Sequence, residues 1–323
     1  MNKKLFPEII GQDAAKRKLA FFINGYKASK IIPHIMFVAP KGCGKTMLAK
    51  ALGRNLNKRG STKHKRFLEI NCSTIKNVRQ FFNQIIIPHV HNQECTVLFD
   101  EASELPKDVT MALLTILNPN ERNRTTFTFE DYTVDFDFSQ QSFMFATTEA
   151  QQIFHALMDR CERVDLEEYA LDELAKIVER TLKGATFQGK VLDDVATVLR
   201  GNARQAQKMA NNIKIYLKSQ KRKNFTNKDW GSLKHHLGLL PLGLSPIELQ
   251  ILNVLLESKE CSLTKISAKT GLTKACVQRD FEIYLQKNSL MEITTAGRSL
   301  TKKGMDYLKN LEKAAWLNLN GSP

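Results

Sequence analysis

The chain has 323 residues, 42% of them hydrophobic, which suits two or three domains with cores of their own. No stretch approaches the roughly 18 unbroken apolar residues of a membrane span, and Met1-Asn2-Lys3-Lys4 meets Pro7-Glu8 before an apolar signal region develops, so a cytoplasmic protein is expected. A net charge of +15 favours a polyanionic partner, nucleic acid first, while six cysteines without C-x-x-C spacing argue for reduced thiols over zinc or disulfides.

From residue 1 to 169, β-branched or aromatic runs alternate with helical patterns, which predicts a parallel α/β sheet. Strands are expected at 35–38, 67–71, 96–99, 143–146 and 163–166. After the first comes Ala39-Pro40-Lys41-Gly42-Cys43-Gly44-Lys45-Thr46, a P-loop pattern with alanine at its first position. Gly42 and Gly44 let backbone amides curl around phosphates, and the dipole of the following helix adds to the field. Lys45 would neutralise the β- and γ-phosphates, and the Thr46 hydroxyl would ligate magnesium. Ala39 fits if its φ is negative, and Cys43 is expected to be exposed near phosphate. Met47, Leu48, Ala51, Leu52 and Leu56 recur at helical spacing and should pack that helix on the sheet.

Val97-Leu98-Phe99-Asp100-Glu101 is an apolar strand ending in two carboxylates. Downstream of a P-loop, Asp100 would hold the magnesium shell and Glu101 would activate the attacking water, so hydrolysis is expected. Residues 124–138 alternate aromatic and polar side chains around Glu130-Asp131, a hairpin pattern. The strand that follows ends in Ala146-Thr147-Thr148. It should lie beside the first strand, with Thr148 or Thr147 near the γ-phosphate. Next come Met158-Asp159-Arg160-Cys161-Glu162-Arg163 and Arg200-Gly201-Asn202-Ala203-Arg204.

Residues 170–240 read as helical throughout and hold 14 basic against 6 acidic groups. The last of these helices is expected to start at Thr226, from the capping-box spacing of Thr226-Asn227-Lys228-Asp229. A linker at 238–244 precedes Ser245-Pro246-Ile247-Glu248, a helix start that opens a third domain. Three domains are thus expected, at 1–169, 170–240 and 241–323. The third fits a winged helix, with Leu249, Leu252, Leu255 and Leu256 lining its first helix. Residues 274–287 form the candidate recognition helix, leaving Lys274, Gln278 and Arg279 for phosphate or solvent. Strands at 291–294 and 298–301 put Arg298 on the wing. A winged helix also serves in protein docking.

These segments together resemble RuvB-type Holliday junction branch-migration ATPases of the AAA+ class. The resemblance rests on Ile9-Ile10-Gly11-Gln12, the P-loop, Phe99-Asp100-Glu101, Ala146-Thr147-Thr148, Glu168-Tyr169, residues 200–204 and the C-terminal region. It implies an α/β AAA+ P-loop fold, with a parallel five-stranded sheet and helices on both faces, followed by an all-α lid and a C-terminal winged helix. It implies ATP and Mg2+ as cofactors, the phosphates being held by Pro40, Lys41, Gly42, Cys43, Gly44, Lys45, Thr46 and Met47. Ile9, Ile10 and Tyr169 would form part of the adenine pocket. Thr148 would be sensor 1 and Arg204 a cis sensor 2. Arg160 would be an arginine finger reaching a neighbouring subunit, with Arg163 as the alternative. The resemblance further implies a homo-oligomeric, hexameric ring on DNA, in which Arg298 contacts the duplex backbone and the hairpin docks a RuvA-like junction-binding protein.

Departures from the family pattern occur at Ala39, Lys41, Glu149 and Cys161-Glu162, and Thr128-Phe129-Glu130-Asp131 replaces its Gly/Pro-containing hairpin tip. Several of these, with Asn71-Cys72-Ser73, lean toward clamp-loader ATPases. The hairpin and the winged helix favour the RuvB-like reading, an ATP-dependent motor that translocates on duplex DNA and drives branch migration. The rivals are a clamp-loader-like ATPase and an AAA+ adaptor whose winged helix docks protein.

Overall fold

The computed structural model describes residues 5–118, 124–129, 132–258 and 260–320. The basic start Met1-Asn2-Lys3-Lys4 and the hairpin tip Glu130-Asp131 lie outside the described residues. The chain divides into two compact bodies, Met1–Asn227 and Lys228–Pro323.

In the first body the strands in chain order are β1 (Ile35–Val38), β2 (Arg66–Asn71), β3 (Cys95–Asp100), β4 (Arg124–Phe129), β5 (Tyr132–Asp137), β6 (Ser142–Thr147) and β7 (Glu162–Asp165). Five of them form one sheet in the order β2-β3-β6-β1-β7, with every neighbouring pair parallel. The expected strands are all present, and β6 lies beside β1. Their near-continuous apolar runs follow from burial on both faces. Within β3, Val97 and Phe99 enter one core while Leu98 enters the other.

Helices cover both faces. On one side, α1 (Asp13–Ser29) and α2 (Lys45–Gly53) contribute Leu19, Ile23, Leu48 and Leu52 to the core beneath β1. On the other, a helical stretch at 78–90 and α3 (Lys107–Ile116) pack Phe81, Ile86, Val109 and Leu113. Met47 departs from the helical stripe expected of it. It is 39% exposed, because its position in the first turn of α2 turns it away from the sheet.

β4 and β5 pair antiparallel as a hairpin, with Phe129 opposite Tyr132. Its root is held by aromatic packing. Phe136 and Phe138 are buried, lie 5.7 Å apart, and reach Phe82 and Phe143.

Beyond the sheet come α4 (Leu171–Thr181), α5 (Val191–Ala196) and α6 (Ala203–Ser219). The segment is not helical throughout. β8 (Thr186–Phe187) pairs in parallel with β9 (Asn224–Phe225), where the fully buried Phe225 packs edge-on to Phe187. That aromatic contact joins positions 38 residues apart, so no local periodicity signals it.

The second body contains most of α7 (Asn227–Leu237), then α8 (Pro246–Ser258), α9 (Leu263–Thr270) and a third helix, which runs from Lys274 through a wider-wound stretch, Val277–Glu282, to Lys287. A three-stranded antiparallel sheet follows, β10 (Glu260–Cys261) and β11 (Met291–Ile293) flanking β12 (Arg298–Leu300), and α10 (Lys302–Asn320) closes the chain. Ile251, Leu252, Leu255, Val277 and Leu285 form its core, whereas Leu256 is exposed. Among the described residues no single helix is long and apolar enough to cross a membrane.

Candidate nucleotide site

The C-terminal ends of β1, β3 and β6 meet at one edge of the sheet, the usual place for a ligand in a parallel α/β fold. The P-loop leaves β1 there and enters α2. Gly42 and Gly44 have φ of +84° and +92°, conformations that side chains rarely adopt, so glycine is required at both. Ala39 is not among the described residues of positive φ, and its methyl group is buried in the core beneath the loop. Alanine therefore costs nothing at the first position. The Ala39 N–H donates to Thr147 O at 3.3 Å, which ties the loop to β6.

Lys45 Nζ donates to Ala39 O at 2.7 Å and Pro40 O at 3.1 Å. Burial lowers the pKa of its ammonium group, while the nearby Cys43 and Asp100 oppose that shift. The Thr46 hydroxyl donates to Asp100 Oδ2 at 2.8 Å, joining two residues 54 positions apart. Asp100 Oδ1 accepts from the Glu101 N–H at 3.0 Å, and Glu101 adopts φ of +58° at the strand end. Pairing of β6 with β3 brings Ala146 level with Asp100, so Thr147 and Thr148 follow immediately beyond the carboxylates. Thr147 is buried and accepts from the Glu149 N–H, whereas Thr148 is exposed.

The helical segment covers the opposite side. Tyr169 donates its phenol to Cys43 O at 3.3 Å, and burial pushes the pKa of that phenol up to about 12, so it remains a donor. Asn202 Nδ2 donates to Lys41 O at 2.9 Å. The N-terminal motif is fixed by Gln12, which exchanges hydrogen bonds with the backbone of Glu167 at 2.7 and 3.1 Å. Arg180 Nη1 donates to Pro7 O.

Together these elements enclose a cavity of about 510 Å³. Of the residues expected from sequence, Lys41, Gly42, Gly44, Lys45, Thr46 and Met47 line it from the P-loop. Asp100, Glu101 and Thr148 line it from the strand ends, and Ile9, Ile10, Tyr169 and Arg204 from the N-terminal segment and the helices. Lys41, Lys45 and Arg204 give one part of the cavity cationic character, and Ile9, Ile10, Met47 and Ile177 give it an apolar part. Triphosphate and base have matching chemistry. Thr46 and Asp100 supply hard oxygen donors of the kind Mg2+ takes. That ion keeps several waters, and the described residues include no cluster of three or more His, Cys, Asp or Glu.

Some expected residues fall elsewhere. Cys43 is 1% exposed and packs in the core, so its thiol faces inward and only its backbone remains at the loop. Pro40 and Arg160 do not line the cavity. Arg160 Nη1 donates to Ala156 O at 2.8 Å, and its Nε is buried without a partner. The cavity also gathers Arg180, Lys183 and Gln207, which had no sequence signal beyond lying on or after amphipathic helices.

In the second body Lys274, Gln278 and Arg279 are exposed on the third helix, with Arg279 paired to Asp280. Arg298 is placed otherwise than expected. It is only 15% exposed and makes a two-pronged ion pair with Glu282, itself 3% exposed, at 2.9 and 3.3 Å. A buried carboxylate demands a partner, and the wing arginine supplies it.

Comparison with known proteins agrees with this geometry. Residues 35–169 match the model of the ATPase family associated with various cellular activities (AAA), and residues 241–309 match the RuvB C-terminal winged helix domain. The chain therefore joins an AAA ATPase domain to a RuvB-type winged helix domain. It is 24% identical over 319 residues to the Holliday junction branch migration complex subunit RuvB of Wolbachia sp. subsp. Brugia malayi (strain TRS), covering 93% of this chain and 91% of that one. The corresponding subunit of Campylobacter lari is 25% identical over 316 residues, covering 94% and 90%. The fold matches the structure of the Thermotoga maritima RuvB Holliday junction branch migration motor with a TM-score of 0.74, at 20% identity over 93% of this chain and 95% of that one. As in other members of the AAA family, the P-loop site is a nucleotide site.

Proposed function

We propose that the protein is an ATP-dependent motor that translocates on duplex DNA and drives branch migration of Holliday junctions. The observation that supports this is the joining, in one chain, of a P-loop cavity that gathers Lys45, Thr46, Asp100 and Glu101 to a RuvB-type winged helix. Lys45 and the P-loop amides hold the β- and γ-phosphates, with Lys41 at the rim. Thr46 and Asp100 would hold Mg2+, which would neutralise phosphate charge when bound. Glu101 orients and deprotonates the attacking water, and Thr148 holds that water or the γ-phosphate in place. Arg204 reads the γ-phosphate from the helical lid (170–240 of the three segments read from the sequence), while Ile9, Ile10 and Tyr169 seat the adenine.

Arg160 lies away from its own cavity, which supports a finger acting on a neighbouring subunit's nucleotide. That role entails a homo-oligomeric ring, hexameric by family resemblance. DNA is the polyanion that the net charge of +15 calls for, and Lys274, Gln278 and Arg279 are its candidate contacts. Arg298 supports the wing through Glu282 and is a weaker candidate. The hairpin is the proposed dock for a RuvA-like partner. We place the activity in the cytoplasm with its DNA.

The clamp-loader and adaptor readings are not favoured, since the winged helix stands where a clamp loader has a helical collar. The deciding experiment measures ATP hydrolysis with four-way junctions, with primed DNA plus sliding clamp, and without DNA, using Glu101→Gln as control. Junction-stimulated turnover in the wild type, reduced at least about 100-fold in Glu101→Gln with ATP binding kept, is expected. Stimulation by clamp and primed DNA alone would sink the branch-migration reading.

A further inference from the structure

The P-loop is held from across the nucleotide cleft. Asn202 Nδ2 donates to Lys41 O at 2.9 Å, and the Ala203 N–H donates to Gly42 O at 3.1 Å. A trans peptide is planar, with its carbonyl and the following N–H pointing in opposite directions. No described peptide is cis. Turning the Lys41 and Gly42 carbonyls toward residues 202 and 203 therefore turns the N–H groups of Gly42 and Cys43 the other way, toward the inner side of the loop. Those amides belong to the donor set that cradles a phosphate.

The contact is close and Asn202 is itself fixed. A Cβ on Gly42 would come within 2.0 Å of Asn202 Oδ1. The same oxygen accepts from the Arg204 and Gln205 N–H groups at 2.9 and 3.2 Å, so Asn202 is the N-cap of α6. One side chain thus caps a helix and orients one peptide plane of a loop 161 residues earlier in the chain, while the backbone N–H that follows it holds the next plane.

From this we infer that Asn202 is a positioning residue for the diphosphate, acting through the P-loop amides and independently of the Arg204 side chain. The inference rests on the nucleotide-site reading above. It makes the helical segment a determinant of ADP affinity as well as of γ-phosphate recognition. A cap residue with only a structural role would alter helix stability and leave ADP affinity untouched.

Two variants of the full chain test it. Asn202→Ser keeps a capping oxygen but is too short to reach Lys41 O. Asn202→Asp keeps the cap and replaces the donor with a carboxylate facing that carbonyl. Binding of a fluorescent methylanthraniloyl-ADP is measured alongside the ligand-free melting temperature. The expected result is an ADP Kd raised about tenfold in the serine variant and further in the aspartate variant, with the melting temperature kept. The rise in melting temperature produced by ADP shrinks in step. Arg204→Ala, by contrast, weakens ATP more than ADP. Unchanged ADP affinity in both folded Asn202 variants overturns the inference. If Lys45→Ala loses ADP in the same assay, the nucleotide-site reading survives that outcome. If Lys45→Ala binds ADP like the wild type, the site itself has been misread.

Discussion

Asp100 and Glu101 are neighbours with different proposed tasks, and the backbone separates them. Asp100 ends a buried strand with its carboxylate bonded to Thr46, while Glu101 takes a φ of +58°, a conformation costing a non-glycine residue roughly 1–2 kcal/mol. The strain accompanies an exposed side chain that lines the cavity. A different residue, His34, sets a pH limit. Its Nδ1 is buried without a partner, and burial pulls its pKa from 6.5 down to about 4. Between those values the unfolded chain binds a proton that the folded chain refuses, so this residue makes stability rise with pH from about 4 to 6.5 and level off above. Chemical denaturation of wild type and His34→Phe from pH 7 to 4 should show the wild type losing stability relative to the variant as pH falls. Parallel curves would rule out this cost.

At the scale of elements, the legible parts of the fold were those whose signal is local. The P-loop, the acidic strand end and the threonine strand each combine an apolar run with a few polar residues in fixed order. Each occupies its expected place in the sheet. The illegible parts depend on partners distant in sequence. Nothing near Asn202 announces Lys41, nor does anything near Arg180 announce Pro7. Cys43 was misplaced because the pattern specifies a backbone path and leaves open which face of the loop is core. Arg298 was misplaced because a basic residue on a wing looks free until the buried Glu282 is found beneath it. That pairing leaves the exposed end of the third helix as the candidate DNA contact. Lys274→Ala together with Arg279→Ala should weaken duplex binding uniformly across sequences, and should reduce the slope of log Kd against log salt by about 0.9 for each phosphate no longer neutralised. An unaltered slope would move the DNA interface elsewhere.

At the scale of the whole molecule, activity is proposed to belong to the assembly. Arg160→Ala should bind ATP and hydrolyse it about 10³-fold or more slowly, as expected for a missing finger. Mixing it with Lys45→Ala subunits, which keep their Arg160 but bind no nucleotide, should restore hydrolysis at interfaces that combine one intact half from each. Turnover in the mixture no greater than the sum of the two inactive preparations would show that Arg160 works within its own chain.

Between Arg160 and Tyr169 the chain runs through β7, an edge strand joined to β1 along its length, with Glu162 N–H bonded to His34 O and Leu166 N–H to Val38 O. If Arg160 serves the next subunit, that stretch of ten residues, at most about 30 Å between its ends when extended, would be a strut between two nucleotides. One end touches the base held at home and the other reaches for the phosphate held next door. Because the strut is pinned to the strand that carries the P-loop, it cannot bend or slide without shearing the sheet. In the proposed ring, a displacement at one nucleotide would then be handed to the next through β7.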